Sequence, residues 1–284
     1  MTGLAHQFGI VGAGRLAERV AGRWWSASGA QALVWSRRFV GDRGIPRDPA
    51  ERPFGVGDLA DVMQRPVVLL AVPGSAIGEL AAAHRALAEF QGVMLVAAVD
   101  IRLEEVQSLC PRALIVRVAQ FLLPGQNEIP CLVFVPHQND ARWSACASLL
   151  EKLGPVDLVR NQAAFDTLLN FGSPFPAVLE KALHRGVCLV SSLRGVSPEL
   201  NALAERLLWQ GLVAIGSARL RGAAGNIERE VATEGGITER GLREVGSLAD
   251  ATADVILKMS WHAEDLRSQV RRDVRAEVDD ESGI

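Results

Sequence analysis

Gly9-Ile10-Val11-Gly12-Ala13-Gly14-Arg15-Leu16-Ala17 is the stretch that decides how this chain folds. A short apolar run, Gln7–Val11, leads into it, and a segment of helical period, Arg15–Ser28, leads out. It therefore reads as strand, turn, helix. In the spacing GxGxxA each small residue has a job. Gly12 permits a tight turn, Gly14 lets backbone approach a pyrophosphate, and Ala17 lets the helix pack close to the sheet. The N–H groups of Arg15 and Leu16 then face the phosphates with the helix dipole behind them. The competing reading is a glycine turn kept only for packing.

Further β-like runs follow at Gln31–Trp35, Val67–Val72, Val93–Ala98, Ala113–Val118 and Leu132–Pro136, with a weaker one near Phe54. Helical segments such as Ser75–Phe90 separate several of them. Continuous apolar strands alternating with helices predict an α/β, doubly wound, mostly parallel sheet covered on both faces. After about Arg160 the alternation stops. Long helical periods run from Asn161 to Arg271, punctuated at Gly172–Pro176, Arg194–Pro198, Gly222–Gly225 and Gly235–Gly236. The spacing thus predicts an α/β domain over 1–160, an all-helical domain over 161–272, and a frayed polar tail over 273–284.

Composition removes several alternatives. With 33 acidic against 30 basic residues and a net charge of −3, the chain lacks the clustered basic surplus of a nucleic-acid or anionic-membrane binder. No apolar stretch approaches the roughly 20 residues that span a bilayer, and residues 1–12 have no basic segment ahead of a long apolar run, so no signal peptide is expected. The expected compartment is the cytoplasm. Cys110, Cys131, Cys146 and Cys188 form no CxxC pair, and no histidine is read at ligand spacing from them, so no metal site is expected. Reduced, mostly buried thiols fit better.

The cofactor type is read at the end of the second strand. A dinucleotide site for NAD carries a carboxylate about 20 residues after the glycine turn to bond the ribose. Here no Asp or Glu occurs between Glu18 and Asp42; the strand ends in Ser36-Arg37-Arg38. A hydroxyl and two guanidinium groups suit a 2′-phosphate, which favours NADPH over NADH. Downstream, Ala71-Val72-Pro73-Gly74-Ser75 ends a strand where the cofactor would cross. Ala71, Val72 and Pro73 are candidate cofactor contacts. Ser75 is either a further lining residue or a helix N-cap.

Taken together, these motifs resemble the pyrroline-5-carboxylate reductase family. The most specific likeness is late, in Val231-Ala232-Thr233-Glu234-Gly235-Gly236-Ile237-Thr238-Glu239-Arg240-Gly241-Leu242, which aligns without gaps with that family's V-T-S-P-G-G-T-T-x-x-G-L segment. Phe165-Asp166 and Pro176-Ala177 fall where the family has F-D-A-V-T-A-L-S-G-S-G-P-A, and Arg117-Val118 matches the start of its R-V-M-P-N-T-P. The resemblance implies a Rossmann domain, a helical dimerisation domain shared in a homodimer or larger assembly, and hydride transfer from NADPH to a C=N bond. It also implies that Thr233, Gly235 and Gly236 bind a substrate carboxylate. Thr238 would orient or protonate the amine, with water as the proton source because a neutral hydroxyl is a poor acid.

Two segments depart from that family. Its M-P-N-T-P becomes Ala119-Gln120-Phe121-Leu122-Leu123, and its S-G-S-G becomes Gly172-Ser173-Pro174-Phe175. Phe121 and Phe175 would line a more apolar substrate pocket. The expected substrate is a cyclic or related small-molecule imine, and this lining suits one larger or less polar than pyrroline-5-carboxylate, of the kind found in specialised metabolism. Two rival functions stay open. One is a 2-hydroxyacid or ketopantoate type of NADP dehydrogenase, which would place a catalytic Glu or Lys, such as Glu180 or Lys181, in the helical domain. The other is a Rossmann partner protein without chemistry. Asp166 reads as a cap or salt-bridge partner. His184 reads as a solvated helix residue or a proton donor, and the chain has no tyrosine to act as an acid.

Overall fold

Phe8–Val11 (β1), Val67–Leu70 (β4) and Val93–Val96 (β5) are buried along their whole length, as strands covered on both faces are. With Ala32–Trp35 (β2), Phe54–Val56 (β3), Leu114–Gln120 (β6), Cys131–Phe134 (β7) and Val156–Val159 (β8), they build one eight-stranded sheet of order β3-β2-β1-β4-β5-β6-β7-β8. This computed structural model describes residues 7–39, 53–122, 127–172, 174–193, 197–220 and 245–281. All neighbouring strands are parallel except β6 and β7, which pair antiparallel with Arg117 opposite Phe134. The chain winds outward from β1 to β2 and β3, then returns to β4 on the other side of β1. That reversal opens a crevice at the carboxyl ends of β1 and β4.

The helices divide between the two faces as the alternation of side chains requires. Phe8 and Ile10 point to one face, where α1 (Arg15–Ser28) and α6 (Ala141–Leu153) cover them with Trp24, Trp143 and Leu150. Trp24 meets Phe8 edge-on at 5.6 Å, while Trp25 is 39% exposed. Val11, Leu70 and Met94 point to the opposite face. There α2 (Leu59–Val62), α3 (Gly74–Ala83), α4 (Ala86–Glu89) and α5 (Leu103–Leu109) supply Val62, Ile77, Leu87 and Val106.

Several boundaries differ from the sequence reading. The expected helix over Ser75–Phe90 is two helices, because His84 turns to an extended conformation and lays its ring against Trp35. Strand β8 was not expected: Val156-Asp157-Leu158-Val159 is an edge strand with exposed residues at its centre, so it lacks the continuous apolar run of the inner strands. The chain divides into two compact units, Met1–Ser173 with Met259–Ile284, and Pro174–Lys258. Helix α7 (Gln162–Gly172) therefore belongs with the sheet rather than with the helical part, since Phe165 and Leu169 bury against Ala119 and Leu132.

The second unit contains α8 (Pro174–Leu193), α9 (Pro198–Leu220) and the first part of α10 (Val245–Glu281). Helix α10 continues to Glu281, past Asp273 where a frayed tail was expected. Its later turns belong to the first unit, where Val270 joins the core. Among the described residues, no helix is long and apolar enough to cross a membrane.

Candidate dinucleotide site

The β1–α1 turn uses its two glycines for different purposes. Gly12 has φ +116°, a conformation that side chains rarely adopt, and a Cβ there would overlap the carbonyl of Ala71. Its N–H donates to Trp35 O at 2.8 Å, so the turn is pinned between β2 and the end of β4. Gly14 is ordinary by comparison, with φ −89°, and a Cβ on it would meet nothing within 4 Å. Its smallness leaves open space in front of the helix. No side chain caps α1, and its first intrahelical bond runs from Glu18 N–H to Gly14 O at 3.1 Å. The N–H groups of Arg15, Leu16 and Ala17 thus stand ahead of that bond, at the positive end of the helix dipole. Ala17 is buried against the sheet. This cradle fits a pyrophosphate.

At the end of β2 the buried Ser36 hydroxyl accepts the Arg38 N–H at 3.3 Å. Arg38 reaches back to the glycine turn, where its Nη1 donates to Ala13 O at 3.5 Å. Arg37 instead pairs with Glu79 at 2.9 Å, both side chains being mostly exposed. Two guanidinium groups thus flank the turn, one beside it and one held by a surface ion pair that is readily exchanged.

Ala71 joins β4 to β1 through an N–H to Val11 O bond of 2.8 Å, and Val72 and Pro73 follow into the crevice. Ser75 is exposed and lies inside α3, so it is not the N-cap. The capping acceptor is Asp100, whose carboxylate oxygens take the Gly74 N–H at 2.9 and 3.1 Å. Nothing local in the sequence marks Asp100 for this role, since it comes from the loop after β5.

Beyond β5, the carboxyl end of β6 carries Gln120 and Phe121. Gln120 is buried, yet neither atom of its amide has a hydrogen-bond partner among the described residues. The Cys131 thiol, directly across the strand pair, lies beside it. Phe121 is half-buried, and its ring sits where a Cβ on Gly172 would be.

On the same strand Arg117 is fully buried, donating to Ile101 O and to Val99 O, the latter at 3.1 Å, with its guanidinium 5.9 Å over the Phe165 ring. Burial, with the nearby charge of Arg267, pushes it down to about 10. Asp166 forms two bonds to Arg267, at 2.6 and 2.9 Å, and Arg267 also donates to Val99 O at 2.9 Å. Asp166 is therefore the ion-pair partner anticipated. The cap of α7 is Asn161, whose Oδ1 accepts Ala164 N–H at 2.8 Å. Arg117, Asp166 and Arg267, with Arg102, Glu104, Gln162 and Glu264, line a cavity of about 230 Å³. Its charges are mutually compensated, which marks it as a structural network.

Thr233, Gly235, Gly236 and Thr238 lie outside the described residues, as does the side chain of Phe175 on α8. Glu180 and Lys181 are exposed on α8. His184 is not merely solvated: its Nδ1 is 2.7 Å from Glu205 Oε1, and its Nε2 is 3.8 Å from Cys188 Sγ. The expectation that no histidine stands at ligand spacing from a cysteine is thus corrected, because His184 and Cys188 are one helical turn apart. Cys110, Cys131 and Cys146 are buried, and burial pushes each thiol up to about 12.

No family model matches this chain, and no curated protein sequence does. Solved structures do match over more than nine-tenths of its length. The 1-pyrroline-5-carboxylate reductase of Streptococcus pyogenes superposes with a TM-score of 0.73 at 15% identity, covering 93% of this chain and 99% of that one. Plasmodium falciparum pyrroline carboxylate reductase with NADP bound gives 0.70 at 12% identity, over 92% and 98%. The imine reductase of Myxococcus stipitatus in complex with NADP+ gives 0.56 at 17% identity, over 95% and 94%. The chain thus has the fold of the pyrroline-5-carboxylate and imine reductases: a Rossmann-type sheet domain followed by a helical region.

Proposed function

We propose that this protein is an NADPH-dependent reductase of C=N bonds whose substrate is a cyclic or related imine less polar than pyrroline-5-carboxylate. The observation that carries the reading is the Gly14 cradle: an open glycine in front of an uncapped helix, on a chain with the fold of imine-reducing enzymes. A nicotinamide dinucleotide anchored there by its pyrophosphate would supply the hydride for an imine carbon, the nitrogen taking a proton to complete the amine. The chain's own part is to bind and to position. Arg15, Leu16 and Ala17 offer N–H groups to the pyrophosphate, while Ser36, Arg37 and Arg38 receive the 2′-phosphate. Ala71, Val72 and Pro73 floor the path along the carboxyl end of β4.

Gln120 keeps an unpaired amide at the carboxyl end of β6, available to a polar atom of cofactor or substrate. Phe121 presents an apolar ring where the reductase motif has Asn, which favours an apolar imine and helps to keep water from the reacting carbon. By resemblance, Thr233, Gly235 and Gly236 hold the substrate and Thr238 orients its nitrogen, with water delivering the proton.

A homodimer, or a larger homo-oligomer, completes the proposal. No described residue between 174 and 258 is buried, although Leu189, Leu207, Val213 and Leu248 are each about 60% exposed or more. Helices that leave such apolar surface open ordinarily cover it in an assembly. A cytoplasmic location is proposed from the reduced, buried thiols.

The test is NADPH oxidation by purified protein against a panel containing pyrroline-5-carboxylate, larger cyclic imines without a carboxylate, and 2-keto acids. Oxidation is expected with the apolar cyclic imines and slower or absent with pyrroline-5-carboxylate. Reduction of a 2-keto acid with none of the imines turning over would replace the reading with that of a C=O dehydrogenase.

A further inference from the structure

Helices α8 and α9 pack together within the second unit, and three side chains of different chemistry converge between them. His184 and Cys188, one turn apart on α8, share a face; Glu205 approaches from α9. Cys188 Sγ lies 3.8 Å from His184 Nε2 and 4.0 Å from Glu205 Oε1, while His184 Nδ1 lies 2.7 Å from the same carboxylate oxygen. One donor atom from each of the three falls within 4.8 Å of the others. We propose that His184, Cys188 and Glu205 form, within the second unit, a binding site for one divalent transition-metal ion of the zinc class.

The donor set argues for that class. One imidazole nitrogen, one thiolate and one carboxylate form the mixed N/S/O shell that tetrahedral zinc takes, with water in the fourth position. Bond lengths of about 2.3 Å to sulfur and 2.0–2.1 Å to nitrogen set these donors roughly 3.6 Å apart around a tetrahedral ion. The 3.8 Å between Sγ and Nε2 is close to that edge. The thiolate selects against magnesium and calcium, which take oxygen shells. Access is open, because the side chains of His184 and Glu205 are 44% and 28% exposed. Cys110, Cys131 and Cys146 are buried in the sheet unit with their thiols pushed up, so they do not compete. Without metal, the His184–Glu205 bond holds the imidazole in place. On binding, Glu205 exchanges that bond for the ion, and the Cys188 thiol releases its proton to solvent. The ion then cross-links α8 to α9.

Cobalt(II), followed by zinc displacement, tests this on the full-length protein under reducing conditions and without any turnover assay. One equivalent of Co²⁺ is expected to give the near-ultraviolet thiolate-to-cobalt charge-transfer band, which Zn²⁺ abolishes. Cys188→Ser should lose the band while keeping its helical circular dichroism. His184→Ala and Glu205→Ala should weaken binding by more than about tenfold, the loss that even an outer-shell partner commonly brings. Zn²⁺ should raise the Tm of the wild type and leave that of Cys188→Ser unchanged. No band at stoichiometric Co²⁺ would overturn the proposal, as would a band that survives Cys188→Ser or equal affinity in all variants.

Discussion

The ring of Phe121, at the end of β6, occupies the place that a side chain on Gly172, at the end of α7, would need. The two segments in which this chain leaves the reductase motifs are therefore coupled. An aromatic in place of Asn requires a residue without a Cβ on the facing helix. Gly172→Ala would gain up to about 1 kcal/mol of helix propensity, but the overlap costs about 1–3 kcal/mol. Net destabilisation is expected in a denaturant melt, and Phe121→Ala should relieve it. Additive losses in the double variant would contradict the coupling.

Gly12 and Gly14 separate folding from binding. Gly12→Ala meets both a positive φ and the Ala71 carbonyl, so several kcal/mol of stability should be lost. Gly14→Ala meets nothing, and its cost as an N-cap change is below about 1 kcal/mol. Its methyl does, however, enter the space proposed for the pyrophosphate. Near-normal Tm with NADPH affinity reduced more than about tenfold is the expected result. Normal affinity in Gly14→Ala would show that the cradle is only structural.

Asp166 holds two guanidinium groups in a largely buried place, bonding Arg267 directly and compensating Arg117. Asp166→Asn leaves those charges under-compensated, and a loss of about 3 kcal/mol is expected in urea melts. Dinucleotide affinity should be almost unchanged. If Asp166→Asn were neutral in stability but inactive, Asp166 would belong to the chemistry instead.

Gln120 gives the opposite trade. A buried amide without a partner costs about 1–3 kcal/mol, so Gln120→Leu should stabilise the cofactor-free protein by about 1 kcal/mol. If its amide serves cofactor or substrate, kcat/KM should fall in the same variant. Raised stability with unchanged kinetics would remove Gln120 from the proposed site.

The fold was legible because its decisive signals are local. Continuous apolar runs marked β1, β4 and β5, and GxGxxA marked the turn that the switch in strand order places at the crevice. What escaped depends on residues distant in sequence. Strand β8 is half polar and becomes a strand only by pairing with β7. Asp100 caps a helix that begins 26 residues earlier. The i, i+4 spacing of His184 and Cys188 was present in the sequence, but Glu205 joins them only once α8 and α9 pack. The α7 boundary moved because Phe165 and Leu169 find their cover on the sheet.

The most direct measurement is a titration of purified protein with NADPH and NADH, followed by tryptophan fluorescence. Trp35 precedes Ser36, and its carbonyl bonds Gly12, so occupancy of the turn should be visible. NADPH should bind at least about tenfold more tightly than NADH, consistent with a charge-assisted 2′-phosphate contact of about 1.5–3 kcal/mol. Arg37→Ala with Arg38→Ala should erase most of that preference while leaving NADH affinity near its original value. Failure of both nucleotides to bind, or equal losses for both in the double variant, would contradict the account.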